Sequence, residues 1–301
     1  MALAAASLVG AESVLALTPI AIKKSPLDPI SAIWSRTLSS AVLGWLLTGD
    51  RHVKRSELLR SGTLGLTNLL HIASSYESFR NLPAGQAMSL LYTYPLWNLI
   101  FGAVFNNEPV RGVEYSAMAV AVAGAALLNT DPGKAAETGL KQKPQPRWGL
   151  LMGLIMALTE SGMHTIMRSL GWTDPAKGVW VLSTSASGWL AALTGLQLVV
   201  DGAHFSGAGT WLDAFWLTAF HSITLFSGYW LRFYAVPRLS TVSYSILSYA
   251  GLLAAYVFGL AFLGERPGWL SLAGAGLILA AGAVLQVWGG EAEDPAHNGG
   301  T

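Results

Sequence analysis

The chain contains no cysteine and carries few charges. Of its 301 residues, 12% are charged and 52% are hydrophobic, whereas soluble domains average roughly 25% charged residues. The absence of cysteine excludes disulfides, cysteine-ligated zinc, iron–sulfur clusters and thiol catalysis. The net charge of +1 does not indicate the excess of basic residues that nucleic-acid-binding proteins carry. The composition therefore favours a membrane protein that binds no nucleic acid and uses no cofactor.

Long polar runs are also scarce, because ten mostly apolar segments follow one another along the chain. A helix needs about 20 apolar residues to cross the hydrocarbon core of a bilayer, and it pairs its backbone groups internally there. The segments run from Leu3 to Ile22, Pro29 to Leu47, Ser61 to Phe79, Ala84 to Phe105, Gly112 to Leu128, Trp148 to Leu170, Gly178 to Val200, Leu212 to Tyr234, Thr241 to Leu263 and Trp269 to Trp288. We expect an all-α integral membrane protein with ten transmembrane helices, in a plasma, inner or organelle membrane.

A polar stretch divides these segments into two groups of five. Residues 131–147 are rich in Pro, Gly, Lys and Glu, which is typical of a solvated linker. The tail, residues 289–301, is similarly polar, and we expect it to be disordered. The predicted domains are therefore residues 1–130 and 148–288.

The two groups of five resemble each other in sequence, which indicates an internal repeat. Ala11-Glu12-Ser13 corresponds to Thr159-Glu160-Ser161, and each is followed by an Asp-Pro pair, at Asp28-Pro29 and Asp174-Pro175. Because five is odd, the second copy must enter the membrane from the opposite side. The fold class predicted is two inverted five-helix repeats.

Three motifs resemble the drug/metabolite transporter superfamily, specifically its EamA-like ten-helix branch. They are Ile33-Trp34-Ser35-Arg36, Leu91-Tyr92-Thr93-Tyr94-Pro95 and Phe262-Leu263-Gly264-Glu265-Arg266-Pro267. The sequence departs from the family at Asn106-Asn107-Glu108-Pro109, where the first half lacks the Leu-Gly-Glu-Arg turn. The resemblance implies alternating access through a central cavity. It leaves the substrate open, since members resemble amino-acid exporters, sugar-phosphate translocators and nucleotide-sugar carriers.

Two glutamates stand near the centres of matching spans. An ionisable group inside a span is costly and is a functional candidate by default, and inverted-repeat transporters bind at the repeat interface. Glu12 and Glu160 would approach each other there as a protonatable pair that couples transport to protons. The alternative is that each glutamate pairs with a buried histidine, arginine or backbone donor and only holds helices together.

Histidines, arginines and tyrosines complete the set of candidate site residues. His71, His164 and His221 could relay protons or bind substrate, or could be neutral imidazoles hydrogen-bonded in the bundle. Arg36, Arg80 and Arg232 could form a gate or attract an anion, or could anchor span ends at the interface; Arg36 could also neutralise a glutamate. Tyr76, Tyr92, Tyr229 and Tyr249 would line a cavity, or serve as packing residues. Pro95 would let its helix bend.

These residues favour a secondary transporter, or permease, over an enzyme. We expect a small polar or zwitterionic substrate such as an amino acid, with protons and the lipid bilayer as the other partners. A sugar-phosphate or nucleotide-sugar antiporter is the alternative, although the ninth span has no Lys or Arg to hold phosphate. An intramembrane hydrolase, using Ser187 and His221, is the remote alternative. Small-residue stripes, such as Ala117, Ala121 and Ala125, would also suit a homodimer.

Overall fold

The computed structural model describes residues 2–94, 96–97, 100–101, 104, 112–130, 144–201, 210–239, 244 and 247–289. Several predicted features lie outside these residues. They are Pro95, the turn at 106–111, residues 131–143 of the linker and residues 290–301 of the tail.

Within the described residues the regular elements are helices, as the hydrophobic pattern predicts. The α-helices are α1 (Ala2–Leu15), α2 (Thr18–Lys24), α3 (Pro29–Leu47), α4 (Leu58–Asn81), α5 (Ala84–Leu91), α6 (Gly112–Thr130), α7 (Pro146–Leu170), α8 (Pro175–Asp201), α9 (Trp211–Ala235), α10 (Ala250–Leu263) and α11 (Trp269–Gly289). Short 3₁₀ turns, Arg55–Glu57 and Val236–Arg238, flank α4 and α9.

The first predicted span is broken between α1 and α2. Its break precedes Pro19, which occupies the first turn of α2. Proline has no N–H for the ladder and clashes with the preceding turn of a helix, so the helix restarts there. Helix α3 also begins at a proline, Pro29. The Asp28 side chain caps it by accepting a hydrogen bond from the Ser31 N–H at 3.0 Å.

Membrane character shows in the lengths of the helices and in their surfaces. In the described residues, 3 helical stretches are long and apolar enough to cross a membrane, namely Ala2–Lys24, Pro146–Met167 and Pro175–Gln197. Large apolar side chains such as Leu59 and Ile223 face outward, while Glu160 and His221 are buried. Apolar outside and ionisable inside is the distribution expected in hydrocarbon.

The bundle has two ends, which α3 and α4 connect. At the Lys23 end, Arg80 donates to the Leu27 carbonyl at 3.2 Å and the Gln145 N–H donates to Asn81 at 2.8 Å. At the Asp50 end, Arg60 donates to the Ser169 carbonyl at 2.7 Å. With a rise of 1.5 Å per residue, α3 and α4 are about 28 and 36 Å long, so the two ends lie on opposite sides of the bundle.

Helices of the first half pack mainly on helices of the second half. The main pairs are α4 with α7 and α8, α3 with α8 and α9, α1 with α9, and α6 with α11. Ala117 and Ala121 on α6 are buried in a cluster with Ala281 of α11. Part of the small-residue stripe is therefore used inside the chain, where it lets two helices approach closely.

Candidate functional site

A buried arginine joins the two predicted glutamates. Arg232, in the last turn of α9, contacts Glu12 through Nε at 2.8 Å and through Nη2 at 2.9 Å, and its Nη1 donates to Glu160. All three side chains are at most 5% exposed. We call Arg232, Glu12 and Glu160 the central ion cluster. It is held by α1 and α7 from opposite halves, and it places both glutamates on one guanidinium rather than against each other.

Two of the predicted histidines lie beside Glu160. His164, one turn later on α7, places Nε2 3.3 Å from Glu160 Oε1. His71 on α4 places Nδ1 3.5 Å from Glu160 Oε2 and 3.1 Å from the Met156 carbonyl. The shorter distance identifies that carbonyl as the hydrogen-bond acceptor of His71. Oε2 of Glu160 consequently has no hydrogen-bond partner among the described residues.

Tyrosines lie beside both glutamates of the cluster. The Tyr92 hydroxyl donates to Glu12 Oε2 at 2.6 Å, and the Tyr249 ring packs on Tyr92 with centroids 5.7 Å apart. Tyr94 stacks on His164 at 5.4 Å. A hydrogen bond to a carboxylate is among the stronger ones, so Tyr92 fixes the position of the Glu12 side chain.

A cavity lies directly against the central ion cluster. Its lining residues are Glu160, Met163, His164, Met167, Tyr229, Arg232 and Phe233. Along α7 they lead from Glu160 to Met167, and along α9 from Tyr229 to Phe233, which in both helices is the direction of the Asp50 end. The cavity therefore combines an ionic floor with methionine and aromatic walls. In this conformation its free space is about that of one water molecule, so a small molecule with charged and apolar parts would need the helices around it to move apart.

Residues 2–130 match the EamA-like transporter family. The predicted resemblance to the EamA-like branch of the drug/metabolite transporter superfamily is confirmed over these residues, and a match to a transporter family favours a membrane transporter over an enzyme. A solved structure titled "Crystal structure of protein" is similar, with a TM-score of 0.58 and 18% identity over 93% of this chain and 97% of its own. That likeness concerns the fold alone. No curated protein matches the sequence.

Arg36 forms a second buried group in the bundle. It is 6% exposed and donates to the Tyr229 hydroxyl at 3.1 Å. The Tyr229 ring lies between two cations, with Arg36 Cζ 5.8 Å and Arg232 Cζ 5.7 Å from its centroid. His221 and Tyr76 are buried and interact electrostatically with Arg36. Tyr229 thus connects the central ion cluster to a separate group of predicted site residues.

Arg80 lies further towards the Lys23 end, although it interacts electrostatically with Tyr76. It is half-buried in the last turn of α4, at the Lys23 end, where it donates to the Leu27 carbonyl. The same role, in a gate or in attracting an anion, was predicted for Arg36, Arg80 and Arg232. The structure places only Arg36 and Arg232 near the cavity. A gate function for any of the three stays a prediction.

The structure adds an ion pair that the sequence reasoning did not propose. Lys23 Nζ lies 2.5 Å from Glu265 Oε1 and donates to the Leu82 carbonyl at 2.8 Å, while Glu265 Oε2 accepts from the Ala84 N–H at 2.7 Å. The two side chains are 2% and 3% exposed. Lys23 falls between the first two predicted spans, and Glu265 belongs to the motif that resembles the EamA-like branch. Each residue lies just after the end of a predicted span, and this shared position was the feature of the sequence that could have suggested the pair.

A more open ion pair lies at the Asp50 end. Lys177 Nζ contacts Asp50 Oδ2 at 2.6 Å, and the Asp50 side chain is 60% exposed. Hydrogen bonding from Lys177 lowers the pKa of Asp50 below its usual value. Nearby, Thr48 donates to Asp174 at 2.7 Å. In the described part of the chain, no three His, Asp or Glu side chains gather so as to hold a metal ion.

Proposed function

We propose that the protein is a secondary transporter of a small polar or zwitterionic metabolite, with amino acids as the leading class, and that it works by alternating access coupled to protons. The observation that carries this proposal is the central ion cluster at the floor of the cavity. A guanidinium and two carboxylates, all buried, offer partners for both charges of a zwitterion. The methionine and aromatic walls suit an apolar side chain.

Ten spans in two inverted repeats form part of the same proposal, and the contacts support it. The α1–α2 span runs from the Asp50 end to the Lys23 end, whereas α7 starts beside Asn81 and finishes beside Arg60. The helices bearing Glu12 and Glu160 therefore run in opposite directions. An inverted repeat brings matching residues together near mid-membrane.

Alternating access requires one closed end, and the ion pairs support closure at the Lys23 end. The Lys23–Glu265 pair ties the end of α2 to the segments before α5 and α11, and water is excluded from it. The cavity instead leads towards the Asp50 end, where the Asp50–Lys177 pair is partly exposed. We infer that this conformation is nearly closed, that substrate enters when the cavity widens towards the Asp50 end, and that opening the other end separates Lys23 from Glu265.

Proton coupling follows from competition for Arg232. A substrate carboxylate that binds Arg232 displaces one of its two glutamates. A buried carboxylate without a partner is costly, so the displaced group takes up a proton instead. Glu160 is the better candidate because it lines the cavity and has one oxygen without a hydrogen-bond partner among the described residues.

The test is uptake of radiolabelled amino acids into proteoliposomes with an imposed pH gradient. Wild-type uptake should respond to the gradient, and Glu160→Gln should abolish that response while keeping the Glu12–Arg232 pair. Glu57→Gln, outside the apolar spans, is the matched control and should behave as wild type. Gradient dependence that survives in Glu160→Gln and in Glu12→Gln/Glu160→Gln would overturn proton coupling through these residues.

A further inference from the structure

Arg36 is a buried cation that has no carboxylate beside it in the described part of the chain. Its guanidinium donates to the Tyr229 hydroxyl, but no carboxylate in the described ranges lies within 4.0 Å of it. Arg232, by contrast, contacts two carboxylates. Arginine stays protonated in proteins, and a buried charge without a counter-ion is costly. The position of Arg36 therefore favours an anionic ligand.

Two buried polar atoms near Arg36 have no hydrogen-bond partner among the described residues. They are the Tyr76 hydroxyl and Nε2 of His221, on side chains 2% and 0% exposed. Both residues interact electrostatically with Arg36, and Tyr76 also with Arg80. Ser35, the chain neighbour of Arg36, lies 3.2 Å from His221 Nδ1 through its hydroxyl. Most buried polar groups are hydrogen-bonded. Unpartnered polar atoms around a buried cation require an explanation, and a bound anionic ligand would supply one.

The hydroxyls beside His221 indicate what its free nitrogen can do. Thr218 donates to the Ala214 carbonyl at 2.7 Å, so it accepts from Ser35 at 3.0 Å. Ser35 has then used its proton and accepts from Nδ1–H of His221. In this tautomer Nε2 carries a lone pair and no hydrogen. The group around Arg36 thus offers donors from Arg36 and Tyr76, and one acceptor from His221.

We propose that Arg36 and Tyr76 bind the carboxylate of the transported molecule, and that His221 accepts a hydrogen bond from an N–H or O–H next to that carboxylate. This subsite rests on the proposed function, since it assumes that a small molecule travels through the bundle. It lies beyond Tyr229 from the cavity. A carboxylate released from Arg232 passes along the Tyr229 ring to Arg36, in the direction of the Lys23 end.

A carboxylate fits this subsite better than a phosphate ester. A carboxylate carries one charge and binds a single guanidinium through two parallel hydrogen bonds. A phosphate dianion would need a second cation. Arg232 already holds two carboxylates, and Arg80 is directed to the Leu27 carbonyl at the Lys23 end. The apolar cavity walls, which include Met163, Met167 and Phe233, suit a hydrocarbon side chain on the same molecule.

The test measures binding of four probes to purified protein in detergent by thermal shift and calorimetry. The probes are leucine, leucinamide, isoamylamine and inorganic phosphate. Leucine should bind, and the three probes without a carboxylate should bind at least tenfold more weakly. Tyr76→Phe is the decisive variant, because it removes a hydroxyl that makes no hydrogen bond within the described residues. It should leave the unfolding temperature unchanged or raise it, yet weaken leucine binding about tenfold.

Further variants separate this subsite from the proposed function. Arg36→Gln should lose most of the preference for leucine over leucinamide, and the part that remains reflects carboxylate binding at Arg232. Arg238→Gln, an exposed arginine that stacks on Tyr234 at 3.9 Å, and Tyr115→Phe, on the outer surface, should keep it. Equal binding of leucine and leucinamide, tighter binding of phosphate, or unchanged leucine affinity in Tyr76→Phe would overturn the subsite. Uptake that still requires Glu160 would then leave the transporter proposal standing, whereas absence of amino-acid uptake by the wild type would overturn that proposal itself.

Discussion

Arg232 holds Glu12 in a bidentate ion pair, with Nε 2.8 Å from Oε1 and Nη2 2.9 Å from Oε2. Replacing Arg232 by Gln leaves two buried carboxylates without their cation. Removing one partner of a buried pair costs about 3–5 kcal/mol, so Arg232→Gln should unfold at a much lower temperature in detergent. Glu12→Gln/Glu160→Gln/Arg232→Gln should recover most of the loss, and a triple variant as unstable as the single one would contradict this account.

The Lys23–Glu265 pair makes a similar prediction at one end of the bundle. Lys23→Met leaves Glu265 buried and unpaired, which should cost about 3–5 kcal/mol. Lys23→Met/Glu265→Gln should restore much of the stability, because glutamine still accepts from the Ala84 N–H. The measurement is thermal unfolding in detergent, with the exposed neighbour Lys24→Met as the control that should change little. Equal effects of Lys23→Met and Lys24→Met would show that burial of the pair is unimportant.

Close packing of α4 on α8 can be tested with two glycines of the same helix. A Cβ on Gly65 would lie 2.7 Å from the Ala186 nitrogen, whereas a Cβ on Gly62 would meet nothing within 4 Å. Overpacking costs typically 1–3 kcal/mol, so Gly65→Ala should lower the unfolding temperature by several degrees. Gly62→Ala should leave it unchanged or raise it slightly. Indistinguishable variants would argue against this helix contact.

Acid should weaken the Asp50–Lys177 contact. Hydrogen bonding from Lys177 lowers the pKa of Asp50 below 3.8 in the folded protein, so the folded state binds this proton less readily than the unfolded state. Its stabilisation is complete above the ordinary pKa and is lost as the pH falls through the lowered one. The unfolding temperatures of wild type and Asp50→Asn should differ by a constant amount from neutral pH to about pH 5, and converge in stronger acid. A constant difference throughout would exclude titration of Asp50 as the cause.

Much of the helical layout could be predicted from the sequence, because hydrocarbon imposes the length and the composition of a helix. The predicted segment Pro29 to Leu47 coincides with α3, and Trp269 to Trp288 nearly coincides with α11. The break after Leu15 was missed, although Pro19 was its visible cause. Hydropathy averages over a window and does not register a single missing N–H.

The site was predictable only in part. Glu12 and Glu160 could be identified from matching positions, but their shared partner could not, because an arginine near a helix end can reach either the interface or the interior. Packing of α9 against α1 decides that Arg232 turns inward, where Gly228 lets Leu15 approach. Orphaned atoms such as the Tyr76 hydroxyl depend on every neighbour, so sequence pattern alone cannot reveal them.

The central ion cluster also makes the two halves of the chain depend on each other. Residues 2–130 contribute Glu12, whereas Glu160 and the cation that both carboxylates share come from beyond that segment. The first half expressed alone would bury an anion without its counter-ion, and the second half alone would change the charge balance around Arg232. An exchange of halves between related proteins would therefore succeed only if the incoming half kept its share of the ion cluster.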